Sequence, residues 1–237
     1  MSQKYFKNFP KVTYKLSNGK WVTIKDFFRK STIEQKAINA IIDYQYYEIQ
    51  DGERPDIIAH KLYGSSDLHW TLLLVNEIEN YTKWYKDNQT FELYMSEKYP
   101  GQYLTGALNS DIITQTNKWL IGEKLNSSQG QEGRVLQVDP TYKRIGVSDG
   151  TWAPGQVVTG LVSNKSMTIN SVQQMTDGVA YYKDSEGYRK NYEDTGFNPV
   201  TFYDMELEEN EDKRRIKFIK PSIITQVVRE FEKVMMN

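Results

Sequence analysis

Apolar positions along this chain follow a period of two in some stretches and a helical period in others, and the stretches alternate. Val12 to Leu16 and Trp21 to Ile24 alternate on either side of Asn18-Gly19, which predicts a β-hairpin with a type I′ turn. Such a hairpin is either an arm that reaches onto another subunit or one packed on its own domain. From Ser31 to Asp43 the period becomes helical. Ile33, Ala37, Ile38, Ile41 and Ile42 share one face, Ser31 or Thr32 can cap, and Glu34 or Gln35 falls in the first turn. Tyr44 to Gln50 reads as a strand ended by the turn Asp51-Gly52. Pro55 suits the first turn of a helix, where its missing N–H costs nothing. Ile57, Ile58, Leu62 and Tyr63 supply that helix's apolar face, and Gly64 stops it. Ser65, Ser66 and Asp67 offer caps for a second helix. Its Leu68, Trp70, Leu72, Leu73, Leu74 and Val75 wrap most of the circumference, which predicts burial on several sides, with Asn76 as the end. A third helix near Phe91 to Lys98 stops at Tyr99-Pro100-Gly101.

Between about residues 106 and 183 helix formers thin out and short β-prone runs lie between turn signals. The runs are Lys118 to Ile121, Arg134 to Val138, Arg144 to Val147, Gln156 to Val162 and Met167 to Val172. Asp139-Pro140, Asp149-Gly150, Pro154-Gly155 and Asp177-Gly178 separate them. This rhythm predicts a small β-sandwich or barrel inserted between two halves of another domain. Residues 184–205 read as irregular. Glu206 to Lys213 is so charged that it reads as a solvated helix end or linker. Arg214 to Ile219 alternates apolar and basic residues as a strand does. After Pro221, Ile223, Ile224, Val227, Val228, Phe231, Val234 and Met235 recur at helical spacing. That terminal helix covers its own core or, on the slightly favoured reading, packs on a partner's helix.

Tyr46 to Gln50 needs a partner strand, because unpaired backbone groups are costly. No good strand follows Asn76 closely, so the expected partner is Arg214 to Ile219. The long gap is tolerable because closure entropy grows only logarithmically, about 0.6 kcal/mol per doubling of loop length. The expected fold is therefore α+β. Residues 1–43 form a hairpin arm and helix, 44–104 a strand–helix–helix module with a following helix, 105–183 an inserted β module, and 184–237 a return segment, closing strand and amphipathic helix.

Composition narrows the function. The chain has no cysteine, which removes disulfides, thiolate metal sites and cysteine nucleophiles. His60 and His69 are the two histidines, sit on separate predicted helices and lack a third ligand, so neither a metal nor a cofactor is expected. A formal net charge of −1 gives no ground for nucleic acid as a partner. No apolar run nears the roughly 20 residues that span a bilayer, and the N-terminus lacks a signal peptide's apolar core. The expectation is synthesis in a cytoplasm without membrane attachment. Glu77 and Glu79 could be imagined as a glycosidase pair, but alternate residues at a helix end point apart. No phosphate loop or hydrolase motif occurs. The 17 tyrosines suit surfaces that become buried against partners, and equally suit sheet faces.

The most informative stretch runs from Tyr46 to Gly64 and on from Asp67 to Asn76. It resembles a LysM module: a strand, a Gly-acidic turn, a short helix carrying Ile-Ala, a Tyr-Gly stop, a second helix and an Asn. Gly52, Glu53, Ile58, Ala59, Tyr63, Gly64 and Asn76 fill those positions. Gly52 permits positive φ, Glu53 favours the helix dipole's positive end, Ala59 lets the helices approach, and Asn76 tolerates a left-handed end. A narrower likeness rests on Glu53-Arg54-Pro55-Asp56, Ala59, Tyr63-Gly64, Trp70, the leucines before Asn76, and Trp84. At the other end it rests on Glu209-Asn210-Glu211, then Arg214, Arg215, Ile216 and Phe218, and the terminal helix with Phe231. In these features the chain is similar to the base plate wedge protein fifty-three family of T-even-type contractile-tailed phages.

The resemblance implies a non-enzymatic structural subunit of the virion's tail base plate, assembled in the host cytoplasm. Its partners would be other wedge subunits (the central helical bundle and a sheath-initiator-like subunit) and neighbouring wedges closed around the hub. Neither a cofactor nor a small-molecule substrate is implied. The β-rich stretch has no counterpart in the family pattern. Glu53-Arg54-Pro55-Asp56 also replaces the Asp-Thr-Leu run of glycan-binding LysM modules, so glycan binding is not carried over. The alternative is a tail protein that binds or hydrolyses peptidoglycan.

Overall fold

The computed structural model describes residues 9–26, 44–106, 119–148, 150–191, 193–194 and 196–236. The helix expected over 31–43 lies outside them. In chain order the elements are β1 Lys11–Lys15, β2 Trp21–Lys25, β3 Tyr44–Glu48, α1 Pro55–Tyr63, α2 His69–Val75, α3 Asn88–Lys98 and β4 Gln102–Gly106. Then follow β5 Lys124–Ser127, β6 Glu132–Asp139, β7 Arg144–Ser148, β8 Val157–Gly160, β9 Ser166–Gln174 and β10 Val179–Lys183. The last are β11 Arg189–Lys190, β12 Asn198–Thr201, α4 Phe202–Asp212, β13 Arg215–Ile219 and α5 Ile224–Met236. The fold is mixed α and β, and the chain divides into two compact units, residues 1–87 with 210–237 and residues 88–209.

In the first unit β3 and β13 form a two-stranded antiparallel sheet, with Glu48 opposite Arg215 and Tyr44 opposite Ile219. This is the long-range pairing expected from the unpaired strand. Ile49, Ile58, Ala59, Leu72, Trp84, Tyr85, Ile216 and Phe218 form one core cluster. Phe9, Leu68, Trp70, Ile219, Ile224, Val228 and Phe231 form another. Ile224, Val228 and Phe231 of α5 thus cover the unit's own core, the first of the two expected roles of this helix.

Strands β1 and β2 pair from Lys11–Lys25 to Lys15–Trp21, but the turn is not type I′. That turn needs positive φ at both central residues, and here Gly19 has φ 80° while Asn18 does not enter the left-handed region. Gly19 N–H donates to Leu16 O at 2.9 Å and Leu16 N–H to Lys20 O at 2.8 Å. This is a longer loop, a turn closed by a left-handed glycine.

The second unit contains a closed barrel in the order β4-β7-β6-β5-β8-β9. Leu104, Leu125, Val135, Ile145, Val147, Val158, Met167 and Ile169 fill it, with Trp119 and Trp152 in the same cluster. The strand expected at Lys118 to Ile121 falls instead at Lys124–Ser127. Trp119 is buried from a loop, and a buried aromatic in a β-prone run is easily read as a strand. Gly101 (φ 92°) precedes β4, and a Cβ there would lie 2.0 Å from Val147 O. Arg144, almost fully buried, stacks at 4.0 Å over the Tyr103 ring, pairs with Asp139 at 2.8 Å and donates to Val179 O at 2.6 Å.

Residues 184–205 are not irregular throughout, since β11 and β12 flank β10 in a three-stranded sheet. Glu206 to Asp212 is the end of a helix, one of the two expected alternatives, but it is not solvated throughout. It continues α4, in which Glu206 and Asn210 are buried. Charge density alone hid this, because each buried polar group has partners far away in sequence. Glu206 accepts from Tyr94 (2.7 Å), Tyr99 (2.8 Å) and Lys98 (2.7 Å). Burial pushes its carboxyl up, but those hydrogen bonds outweigh burial and hold it below the ordinary carboxylate value.

Candidate interaction surface

The motif residues of the first unit converge, and most face inward. Gly52 takes φ 77°, so the chain can turn sharply out of β3 into α1. Glu53 does more than complement a helix dipole. Both its oxygens accept from Tyr47 OH (3.0 and 2.9 Å), Oε2 accepts from Gln50 N–H at 2.9 Å, and Lys61 pairs with Oε1. Burial raises this carboxyl's pKa, but the bonds from Lys61, Gln50 and Tyr47 prevail and lower it. Trp84 Nε1–H donates to Glu53 O at 3.0 Å, and Tyr85 OH to Asp51 at 2.9 Å. Burial, with the Asp51 bond, pushes the Tyr85 phenol to about 12.

Pro55 is buried at the start of α1, and Arg54 forks onto Asp56 with two 3.1 Å bonds at the exposed helix entrance. Ala59 is fully buried. Tyr63 OH donates to Ile219 O at 3.0 Å, tying α1 to β13, and burial pushes that phenol to about 12. Gly64 closes α1 in the left-handed region, its N–H bonded to His60 O. Trp70 packs on Phe231 with ring centroids 4.6 Å apart.

Asn76 does not supply a left-handed end. Its φ is −97°, and Glu77 (φ 54°) takes that conformation instead. The bonds Ile78 N–H to Leu73 O (2.8 Å) and Glu77 N–H to Leu74 O (3.2 Å) close the helix end. The Asn76 amide is thereby free to face β13. It accepts from Lys217 N–H at 2.8 Å and donates to Lys217 O at 2.7 Å. A side chain thus pairs the free edge of a strand as a neighbouring strand would. Asn210 repeats the device on a loop, accepting from Lys86 N–H at 3.0 Å and donating to Lys86 O at 2.8 Å. Tyr47, Lys61 and Tyr85 were not singled out by the sequence reading. Tyr47 and Lys61 meet Glu53 within eight residues and Tyr85 meets Asp51 from 34 residues away, and the local signal for all three was only their aromatic or charged character beside the motif.

The residues left outside are fewer. Arg215 and Tyr46 are exposed on the outer face of the two-stranded sheet, with the guanidinium 4.3 Å from the ring centroid. Arg214 lies 5.2 Å from the Tyr85 ring and donates to Ile49 O at 3.1 Å. Ile216 and Phe218 point into the core. Among the described residues no group of three or more His, Asp or Glu is placed to hold a metal ion, and no helix is long and apolar enough to cross a membrane.

Residues 5–119 match the family model of base plate wedge protein 53. The matched segment includes the hairpin and the strand–helix–helix stretch, whereas the C-terminal motif around Asn210 and Arg214 lies beyond it. No curated protein matches the chain.

Proposed function

We propose, from the match of residues 5–119 to the base plate wedge protein 53 family, that this chain is a structural subunit joining wedge subunits to one another and around the tail hub. The observation that carries this reading is that matched and motif residues build a rigid scaffold and leave a presenting surface. Glu53, Trp84, Asn76 and Tyr63 are spent on internal bonds. Tyr46, Arg215, Arg54 and the hairpin remain outside. Aromatic and arginine side chains on a rigid face are what protein interfaces favour.

On this reading β3, α1, α2 and β13 are a LysM-like module put to assembly use. The forked Arg54–Asp56 pair at the entrance of α1 occupies the region whose sequence departs from glycan-binding modules. The partners are the wedge's central helical bundle, a sheath-initiator-like subunit and the adjoining wedge. The protein's place is the tail base plate of the virion, after assembly in the host cytoplasm, with no cofactor, no small-molecule substrate and no catalysis. A cryo-EM map of intact base plates tests it. The chain should occupy the wedge in fixed stoichiometry, with the outer face of β3 and β13 covered by other subunits. Absence from purified base plates, or retention of the free protein on insoluble peptidoglycan, would overturn it.

A further inference from the structure

The hairpin presents two unlike faces. Cross-strand partners share a face, so Lys11, Thr13, Lys15, Trp21, Thr23 and Lys25 lie on one side and Val12, Tyr14, Val22 and Ile24 on the other. On the first face Lys15 Nζ sits 5.8 Å from the centroid of Trp21, which is 62% exposed. Lys11 lies directly opposite Lys25, so with Lys15 both ends of this face carry a lysine. Lys4, Lys7, Lys11, Lys15, Lys20 and Lys25 all precede the first acidic residue, Asp26. The whole chain has a formal charge of −1, so the remainder is markedly acidic and the positive charge is concentrated here.

The hairpin's root is fixed. Phe9 is buried in the first unit's core, Asp26 N–H donates to Pro10 O at 2.8 Å, and Lys25 donates to Phe9 O at 3.2 Å. Beyond the root and among the described residues, β1 and β2 form a sheet of two strands, each with an edge that no described strand pairs. Tyr14 (51%) and Leu16 (37%) are also exposed. An isolated two-stranded hairpin is marginal in water, and open edges invite strand addition.

We propose that this hairpin is a docking arm whose basic, Trp21-bearing face seats on an acidic surface of a neighbouring base plate protein, a refinement that rests on the structural role above. Charge complementarity calls for carboxylates on the partner. The open edges and the exposed Tyr14 of the second face call for a polypeptide rather than nucleic acid, because a phosphate backbone would leave both uncovered.

The test is a zero-length carbodiimide cross-link on assembled wedges, which forms an amide only between an amine and a carboxylate in contact, read by mass spectrometry. Lys11, Lys15 or Lys20 should be joined to Asp or Glu of another wedge protein. Lys11→Glu with Lys15→Glu should reduce incorporation into wedges at least tenfold with the melting temperature unchanged. Lys11→Arg with Lys15→Arg should restore it. Cross-links only to this chain's own acids would overturn the proposal. So would full amine reactivity of these lysines within assembled wedges, or unimpaired incorporation of the glutamate variant. Binding of a fluorescent DNA duplex at physiological salt, lost in the glutamate variant, would overturn it in favour of nucleic acid. If the wild-type chain is absent from base plates altogether, it is the structural role that fails.

Discussion

The two units solve one problem, the unpaired strand edge, in opposite ways. The barrel of the second unit joins β4 to both β7 and β9, so its backbone closes on itself. The described strands of the first unit form two separate two-stranded sheets, β1 with β2 and β3 with β13, each with too few strands to close. There side chains finish the work: the Asn76 amide lies along the free edge of β13, and Glu53 gathers the turn that leaves β3. A closed sheet is therefore limited by how near its backbones must come. An open one is limited by a handful of polar side chains.

If that contrast is right, the costliest single change in the second unit is a methyl group where strands crowd. Gly101→Ala combines a left-handed φ with a Cβ 2.0 Å from Val147 O. It should destabilise that unit by about 3 kcal/mol, seen as a lower urea midpoint with loss of barrel amide protection. Wild-type stability would break the barrel half of the comparison. In the first unit, Asn76→Ala should cost about 2 kcal/mol, because Lys217 loses both partners on that side. Hydrogen exchange at Lys217 N–H should accelerate. If its protection is unaltered, the amide is not acting as a strand.

Acid probes both units. The carboxyls of Glu53, Glu206 and Glu123 are all lower in the folded chain than the ordinary value of 4.5. Glu123, like the others, is raised by burial but lowered more by hydrogen bonds, here from the backbone N–H groups of Ser163, Leu120 and Val162 and the Ser163 side chain. A depressed folded pKa means the stabilisation is complete above about 4.5 and is lost as pH falls through the folded values. Melting temperature should therefore fall with acidification below that point. Glu206→Gln should flatten the dependence in the second unit and leave that of the first. The smallest effect is expected at Glu77, held at φ 54°. Glu77→Gly removes a left-handed strain of about 1 kcal/mol against the loss of its side-chain interactions, so the gain should be a few tenths of a kcal/mol in denaturant titration.

The periodic elements were legible in advance. Alternation marked β1, β2 and β13, and the run ended by Asp51-Gly52 marked β3. Pro55 and Gly64 bracketed α1, and the demand for a partner pointed β3 at β13 across most of the chain. Misreadings cluster where polar residues are buried. Glu206 and Asn210 looked solvated because charge was taken as a sign of exposure. Their partners Tyr94, Lys98, Tyr99 and Lys86 lie more than a hundred residues away. Trp119 looked like part of a strand, and Asn18-Gly19 like a tighter turn than it is.

Period, caps and stop signals are local, so residue order alone pointed to most of the helices and strands of the first unit and to the wedge-family likeness over residues 5–119. Whether an asparagine ends a helix or edges a strand, whether a glutamate is solvated or buried among phenols, and which side chains remain outside to meet a partner were decided only by the tertiary structure. Each depends on groups far along the chain coming within about 3 Å, the reach of a hydrogen bond, and no local pattern encodes that distance.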